Sequence, residues 1–308
     1  MLSKTPFECP PYLLSKCEAI ESARIAVVNA GSPVVMESIK LAVDHDIAET
    51  VLIGDTAEIR KFAKELEWDL SDKEIVNAAD ETEAAWHGAQ LAQRGEATAV
   101  MKGHVHTDVF MRALIDKEAG LRTERRFTHV FHMTIPGSEK TLLISDAAVN
   151  VAPDFKTKTE ILLNAVDVAN ALGSPEPKVG LLAASEEVSS AMPVTEEWAE
   201  LVKWANNQKI PAQVFGPLAF DNIISPDAAR TKGIDHPVAG NADIVIVPTI
   251  ETGNALFKAM VYLCSACAAG LVLGAKVPIM LTSRADPPEA RLASAALAAI
   301  VANYKMSH

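Results

Sequence analysis

The sequence lacks the short motifs that mark several large enzyme classes. None of its 15 glycines forms a G-x-G pair, so the dinucleotide-binding fingerprint is missing. The P-loop pattern G-x-x-x-x-G-K-[ST], the nucleophile elbow G-x-S-x-G and the zinc motif H-E-x-x-H are missing too. Nicotinamide-dependent, P-loop and serine-hydrolase functions therefore lose their usual sequence support.

Positive charge and aromatic side chains are also scarce. The net charge is -12 and aromatic residues make up 5% of the 308 residues. Nucleic acids and anionic membrane surfaces need a basic face, so we predict neither as a partner. The long uncharged stretch 259–275 is interrupted by Ser265, Gly270 and Gly274, which favours a helix, turn and strand over a membrane span. A phosphate-bearing ligand would have to meet a local cluster of Arg and Lys.

Cysteine is rare, and the N-terminal segment lacks the apolar run of a secretory signal. Only Cys264 and Cys267 have a C-x-x-C spacing, and the two further ligands of a structural zinc site do not follow at matched spacing. We predict reduced thiols at the end of a buried helix and no metal site. Lys4, Glu8 and Lys16 fall where a signal peptide would be apolar, so we expect a cytoplasmic protein.

Short apolar runs alternate with amphipathic segments of helical period, which is typical of βα units with mostly parallel sheets. The segments 128–133 and 141–145 are separated by too few residues for a helical crossover, so we predict an antiparallel hairpin there. This hairpin suggests a change of domain. We predict an α/β fold of two domains, residues 1–126 plus 273–308 and residues 127–272. The predicted strands are 24–28, 50–54, 74–78, 97–101, 128–133, 141–145, 178–183, 212–216, 242–248, 270–274 and 278–283.

A strand running into a helix at 278–289 is the most informative segment. Asp286 suits the N-cap, Pro287 the first helical position and Glu289 the third residue of a capping box, which explains these residues structurally. Ser283 and Arg284 precede a helix N-terminus, where free N–H groups and the helix dipole favour an anion. A guanidinium there can grip a phosphoryl oxygen.

Three further polar segments follow predicted strands, at the edge where open α/β folds bind ligands. The first leads from a Lys-Gly turn into a helix with Arg112, and Arg122, Arg125 and Arg126 follow just beyond, a basic cluster that would suit a polyanion. The other two contain acids and amides that either line a cleft or cap loops, and spacing alone favours capping for the Asp-Asn pair. The candidate residues are Lys102, Gly103, Thr107, Arg112 and Arg122 in the first, Asp146 and Asn150 in the second, and Glu251, Gly253 and Asn254 in the third.

Taken together, these segments resemble the phosphate acetyl/butyryltransferase family. The resemblance covers roughly residues 98–300 and is nearest the short, butyryltransferase-like form, whereas the first ~95 residues match only in their βα pattern. It rests on the runs MKGHVHTDVFMRAL, GLRTERRFTHVF, LLISDAAVNVAPD, GPLAFDNIIS, HPVAG, VPTIETGNALFK and PIMLTSRAD.

The resemblance implies a fold like that of isocitrate and isopropylmalate dehydrogenases, with the active site in a cleft between two α/β domains. It implies reversible transfer of an acetyl or butyryl group between coenzyme A and phosphate, through an acyl phosphate. Coenzyme A would be a substrate, and no metal or other cofactor is implied. We expect a symmetric homodimer, the commonest oligomer.

The same resemblance assigns roles to particular residues. Ser283 and Arg284 match the pair that contacts phosphate and stabilises charge at the reacting carbonyl. Phosphate acetyltransferases place an aspartate seven residues after that serine as the general base, whereas this chain has Ala290 there. Glu289 and Asp286 are then the candidate bases.

Two alternative functions stay open. One is an acyl-carrier-protein:phosphate acyltransferase, which would need a site for a carrier protein and a long chain. The other is a catalytically weak protein of the same fold that binds CoA or phosphate, in which Ala290 marks lost chemistry.

Overall fold

The computed structural model describes residues 2–281 and 286–307 of the chain. Its strands are β1 Ala23–Val28, β2 Ala48–Gly54, β3 Glu74–Asn77, β4 Ala99–Lys102, β5 Thr128–Thr134, β6 Thr141–Ser145, β7 Lys178–Leu182, β8 Gln213–Leu218, β9 Ile244–Ile246, β10 Cys267–Leu273 and β11 Ile279–Met280. Its helices are α1 Pro11–Cys17, α2 Pro33–Asp44, α3 Thr56–Glu65, α4 Glu81–Gln93, α5 Thr107–Ile115, α6 Phe155–Ala171, α7 Pro193–Gln208, α8 Phe220–Ile224, α9 Pro226–Thr231, α10 Ile250–Cys264 and α11 Pro288–Ser307. Each predicted strand overlaps one of these.

The chain forms two compact units. The outer unit comprises Phe7–Arg125 with Ala269–His308, and the inserted unit comprises Met1–Pro6 with Arg126–Ala268. The predicted division put residues 1–126 and 273–308 together. Residues 2–6 instead belong with the inserted unit, because the Leu2 and Ser3 amides donate to the Tyr262 carbonyl and the Ser265 hydroxyl donates to the Thr5 carbonyl.

The part of the sheet that the outer unit forms has the order β3-β2-β1-β4-β11-β10. All neighbours in it are parallel except β10 and β11. The last four residues of β1 are completely buried, as expected for a central strand covered on both faces. Asp55 and Asp80 cap α3 and α4, since each carboxylate accepts two amides of the first turn.

Helix α11 completes the core of the outer unit. Thirteen of its 20 residues are buried, most of them alanines, so the helix packs closely on nearly all sides. It begins at Pro288, one residue after the predicted first helical position.

The strands of the inserted unit lie in the order β5-β6-β9-β7-β8. Strands β5 and β6 are antiparallel and pair from Val130–Ser145 to Thr134–Thr141, which confirms the predicted hairpin. The other pairs are parallel.

Helix α10 differs from the sequence-based prediction. We expected a buried helix before Cys267, but Gly253 is its only buried residue and Cys264 is exposed. The apolar composition of the segment predicted burial, yet much of that apolar surface faces solvent. Within the described ranges, no helix is both long enough and apolar enough to cross a membrane.

Candidate active site

The carboxyl ends of three parallel strands meet at one edge of the outer sheet. Val28 of β1 pairs with Lys102 of β4, and Met280 of β11 pairs with Met101. The chain therefore leaves β1, β4 and β11 side by side, and α2 begins shortly after β1. This is the position at which open α/β sheets bind ligands.

Gly103 fixes the turn after β4. Its amide donates to the Val28 carbonyl at 2.9 Å, and the His104 amide donates to the Asn29 carbonyl at 2.9 Å. A Cβ on Gly103 would lie 2.2 Å from the Val28 oxygen and 2.7 Å from the Asn29 oxygen. Only glycine fits, because the neighbouring atoms are backbone of the adjacent strand end. The turn thus holds Lys102 and His104 at fixed positions.

A cavity of about 210 Å³ lies beside this turn. Lys102 and Arg291 both line it, and their side chains are largely buried, with relative exposures of 8% and 7%. The N-terminus of α2 forms another wall. The lining residues are Ser32, Pro33, Val34, Val35, Ser38, Met101, Lys102, Gly103, His104 and Arg291.

The electrostatics of this cavity favour an anion. Among the described residues that line it none is acidic, whereas Lys102 and Arg291 are both basic. The Ser32 hydroxyl does not cap α2, and the first amides of a helix have no intrahelical partner. A 12-residue helix adds partial positive charge at this end.

Ser283 and Arg284 lie outside the described residues, so their predicted roles stay predictions. Asp286 and Glu289 are described and half-buried, but neither is among the residues that line the cavity. Burial, followed by the charges of Cys17 and Glu289, raises the pKa of Cys9 to about 12, which places Glu289 near that thiol. Ala290, at the position of the family's aspartate, is buried.

The predicted basic cluster is not gathered in the cavity. Thr107 is exposed at the first position of α5, and Arg122 is exposed in a loop whose backbone pairs with Ala275. Arg112 is 81% exposed, with a guanidinium nitrogen 4.0 Å from the Asp108 carboxylate. It lines a separate groove of about 580 Å³ between α4 and α5.

This groove does not have the charge that a polyanion requires. Asp80, Glu83 and Asp116 line it together with Arg112, so three carboxylates oppose one guanidinium. Arg112 faces α4 because of its position on α5. The spacing of basic residues in the sequence did not predict this direction. A contact between substrate and Arg112, Arg122 or Thr107 stays a prediction.

In the inserted unit, Asp146 organises the loop after β6. Its Oδ1 accepts from the Ala148 and Val149 amides at 2.9 and 3.0 Å. Its Oδ2 accepts from the His129 and Asn150 amides and from Asn150 Nδ2 at 2.7 Å. Asn150 Nδ2 also donates to the Phe127 carbonyl. The capping interpretation accounts for both residues, and their contact with a substrate stays a prediction.

The predicted turn at Gly253 is closed by packing. A Cβ there would lie 2.8 Å from Ala147 Cβ and 2.9 Å from Val247 Cγ2, so the glycine lets the β6 loop approach closely, and its contact with a substrate stays a prediction. Asn254 Nδ2 points to the Ala147 carbonyl at 3.4 Å. Glu251 is exposed in the first turn of α10, where hydrogen bonds from its own amide and from Thr249 hold its pKa below the usual range.

Arg291 was missed by sequence reasoning. It is a single cation inside the run Ala290–Ala302, all of whose members are buried. A lone arginine in an alanine-rich run could have indicated a functional residue, because an arginine is almost never fully buried without a partner.

An α/β fold with a basic cavity at the carboxyl edge of its sheet is the arrangement found in proteins that bind small anionic ligands. Comparison with known proteins identifies its family. The model described as "Phosphate acetyl/butaryl transferase" matches residues 80–299. The chain belongs to this family.

Curated relatives match most of the chain. A phosphate acetyltransferase of Rhizobium meliloti is 46% identical over 85% of this chain and 83% of its own. A phosphate butyryltransferase of Clostridium beijerinckii is 39% identical over 94% of this chain and 96% of its own.

Solved structures agree with this assignment. A branched-chain phosphotransacylase from Enterococcus faecalis has a TM-score of 0.81 and 30% identity, covering 91% of this chain and 99% of its own. A putative 4-hydroxythreonine-4-phosphate dehydrogenase from Salmonella typhimurium, with a TM-score of 0.58 and 12% identity over 91% of this chain and 99% of its own, shares the fold alone. The predicted family, dehydrogenase-like α/β fold and acyltransferase class are confirmed.

Proposed function

We propose that this chain catalyses reversible transfer of a short acyl group between coenzyme A and inorganic phosphate, and that the cavity beside Lys102 receives the phosphoryl group. The observation that carries the proposal is this cationic cavity, at the carboxyl edge of the outer sheet in a member of this family. Coenzyme A acts as a substrate, and no further cofactor takes part.

The reaction is written here from the acyl phosphate side. A carboxylate, Glu289 or Asp286, removes the proton of the CoA thiol, whose pKa of ~8.5 leaves it a few per cent ionised at neutral pH. The thiolate forms a bond to the acyl carbon, the carbonyl oxygen takes up negative charge, and the carbon–oxygen bond to phosphate then breaks. Ser283 and Arg284, assigned by resemblance, stabilise the developing oxyanion and the departing phosphate. Removal of such a donor typically lowers the rate ~10²–10³-fold.

Lys102 contributes an ammonium group to the cavity beside the Gly103 turn. Its side chain is buried, and the adjacent Gly103 turn holds its backbone against β1. Charge stabilisation is stronger in such a site than in water, because fewer solvent dipoles screen it. We propose that it neutralises the phosphoryl group in the ground state and as phosphate departs.

The length of the acyl group is open between acetyl and butyryl. The curated relatives carry both names, and one methylene changes binding by only ~1–3 kcal/mol. We propose a short acyl chain, and kcat/KM for acetyl-, propionyl- and butyryl-CoA with phosphate will rank the three.

The direct test is phosphate-dependent release of free CoA thiol from these acyl-CoA esters. We expect turnover that saturates with phosphate, and a loss of about two orders of magnitude in Lys102→Met. The matched control is Lys276→Met, which removes an exposed lysine of the same unit. Binding of acyl-CoA without thiol release would favour the catalytically weak binder, and release that requires an acyl-carrier protein would favour the carrier-dependent transferase.

Two further properties belong to the proposal. We propose a homodimer, because Tyr262 and Leu263 at the end of α10 are 48% and 55% exposed and offer apolar surface to a second copy. Light scattering on the purified protein tests this.

We propose the cytoplasm as its compartment, since all four cysteines are free thiols, as is usual under reducing conditions.

A further inference from the structure

Arg291 is a buried cation, and no ion pair joins it to an acidic side chain among the described residues. It lies in the first turns of α11, and its side chain is 7% exposed. Its Nε is enclosed and has no hydrogen-bond partner among the described residues. Burying a charge without pairing is costly, so an arginine in this state calls for an explanation.

The described residues that line the cavity around Arg291 do not supply negative charge. The cavity that it lines also receives Lys102 from β4, a second buried cation. From α2 it receives Ser32, Val34 and Val35, at the end of the helix that carries partial positive charge. The described lining has no acidic residue on any of these elements. Three sources of positive potential therefore converge on one small space.

We infer that Arg291 is an anion-binding residue that contacts the phosphoryl group of inorganic phosphate or of the acyl phosphate in this cavity. The inference rests on the proposed function and adds a residue that neither the sequence motifs nor the family resemblance assigns. The guanidinium offers two parallel N–H groups to two phosphoryl oxygens, and Lys102 offers a point charge from β4.

The size of the cavity distinguishes phosphate or a short acyl phosphate from coenzyme A as its occupant. Sites for drug-sized ligands occupy ~300–1,000 Å³, whereas this cavity measures about 210 Å³. A phosphate ion or a short acyl phosphate suits this volume, and a whole coenzyme does not. Apolar side chains of Val34, Val35 and Met101 share the lining and are compatible with a short acyl group beside the anion.

The test separates phosphate binding from acyl-CoA binding. In Arg291→Met, which keeps the apolar stem and removes the charge, we expect the KM for phosphate to rise about tenfold to hundredfold while the KM for acyl-CoA changes less than twofold. Arg291→Lys should recover only part of the loss, because an ammonium cannot form the paired hydrogen bonds. The control is Arg60→Met, an exposed arginine of the same unit.

A second readout does not depend on turnover. Phosphate should raise the Tm of the unaltered protein in a concentration-dependent way, and this shift should be absent in Arg291→Met and retained in Arg60→Met. If Arg291→Met does not fold, Arg291→Lys answers the same question through a reduced shift.

Each result has a definite meaning. A raised KM for acyl-CoA with an unchanged KM for phosphate would assign the anion to the coenzyme and overturn the inference. Unchanged values for both substrates, with the phosphate shift intact, would make Arg291 purely structural and overturn it as well. A phosphate shift that depends on Arg291 in a protein without transferase activity would uphold the inference and refute the proposed function.

Discussion

Replacing Gly103 by alanine tests how tightly the β4 turn controls the site. The added Cβ would lie 2.2 Å from the Val28 carbonyl oxygen and 2.7 Å from that of Asn29. Since such contacts are essentially never shorter than 3.0 Å, the turn and the end of β1 must separate by close to an ångström. The two amide hydrogen bonds of 2.9 Å that join them cannot both survive this movement.

The displacement sets the expected magnitudes. Overpacking of this kind lowers the free energy of unfolding by ~1–3 kcal/mol. Lys102 moves with the turn, and a misplacement of about 1 Å can lower catalytic efficiency ~10²-fold. We therefore expect Gly103→Ala to fold, with kcat/KM for acyl-CoA and phosphate reduced about a hundredfold. Thiol release gives the activity, and urea denaturation gives the stability.

A control with a similar stability loss separates the two effects. Gly137 lies in the exposed turn of the β5–β6 hairpin at φ 78°, and a Cβ there would meet nothing within 4 Å. Gly137→Ala should lose ~1–2 kcal/mol through its left-handed backbone and keep full turnover. Normal turnover in Gly103→Ala would refute the role of this turn in placing Lys102.

Three further predictions concern other parts of the chain. Burial lowers the pKa of His132 from 6.5 to about 4, so folding opposes its protonation, and the free energy of unfolding falls below about pH 6.5, by roughly 2 kcal/mol at pH 5. Urea denaturation at pH 7 and pH 5 should show a smaller fall for His132→Gln than for the unaltered protein. An equal fall in both proteins would contradict this. Asp146→Ala leaves several amides of the β6 loop without their acceptor, so urea denaturation should show a loss of at least ~3 kcal/mol, and a loss under 1 kcal/mol would show that the loop holds itself. Of Asp286→Asn and Glu289→Gln, only the variant that removes the general base should lose turnover, whereas a drop in Tm with full turnover in both would identify both acids as helix caps.

The sequence was sufficient to predict the order of the secondary structure, because buried parallel strands and amphipathic helices have different periods. The hairpin at 128–145 was recognisable because its connection is too short for a crossover helix. The sequence was not sufficient to predict which neighbouring element covers the apolar face of each helix or strand. Helix α10 has an apolar composition, yet only part of its apolar surface packs against the core, and no local pattern distinguishes that case from a fully buried helix.

The candidate site was only partly predictable for the same reason. Lys102 ends β4 and Gly103 follows it directly, so the topology alone brings them to the ligand-binding edge. Arg112 and Arg291 lie on helices, where the direction of a side chain depends on rotation about the helix axis and on neighbouring elements. Arg112 therefore faces a separate groove, whereas Arg291 joins Lys102 in the cavity. Gly253 shows a related limit of prediction from sequence. A glycine at a turn allows close contact, but the sequence does not show whether another protein segment or a ligand makes that contact.

Initial rates of thiol release, measured while acyl-CoA and phosphate are both varied, test the central proposal most directly. Direct transfer in a complex of both substrates predicts no release without phosphate and intersecting lines in double-reciprocal plots. Release without phosphate or parallel lines would contradict direct transfer, and bound acyl-CoA with no release at any phosphate concentration would contradict the acyltransferase function itself.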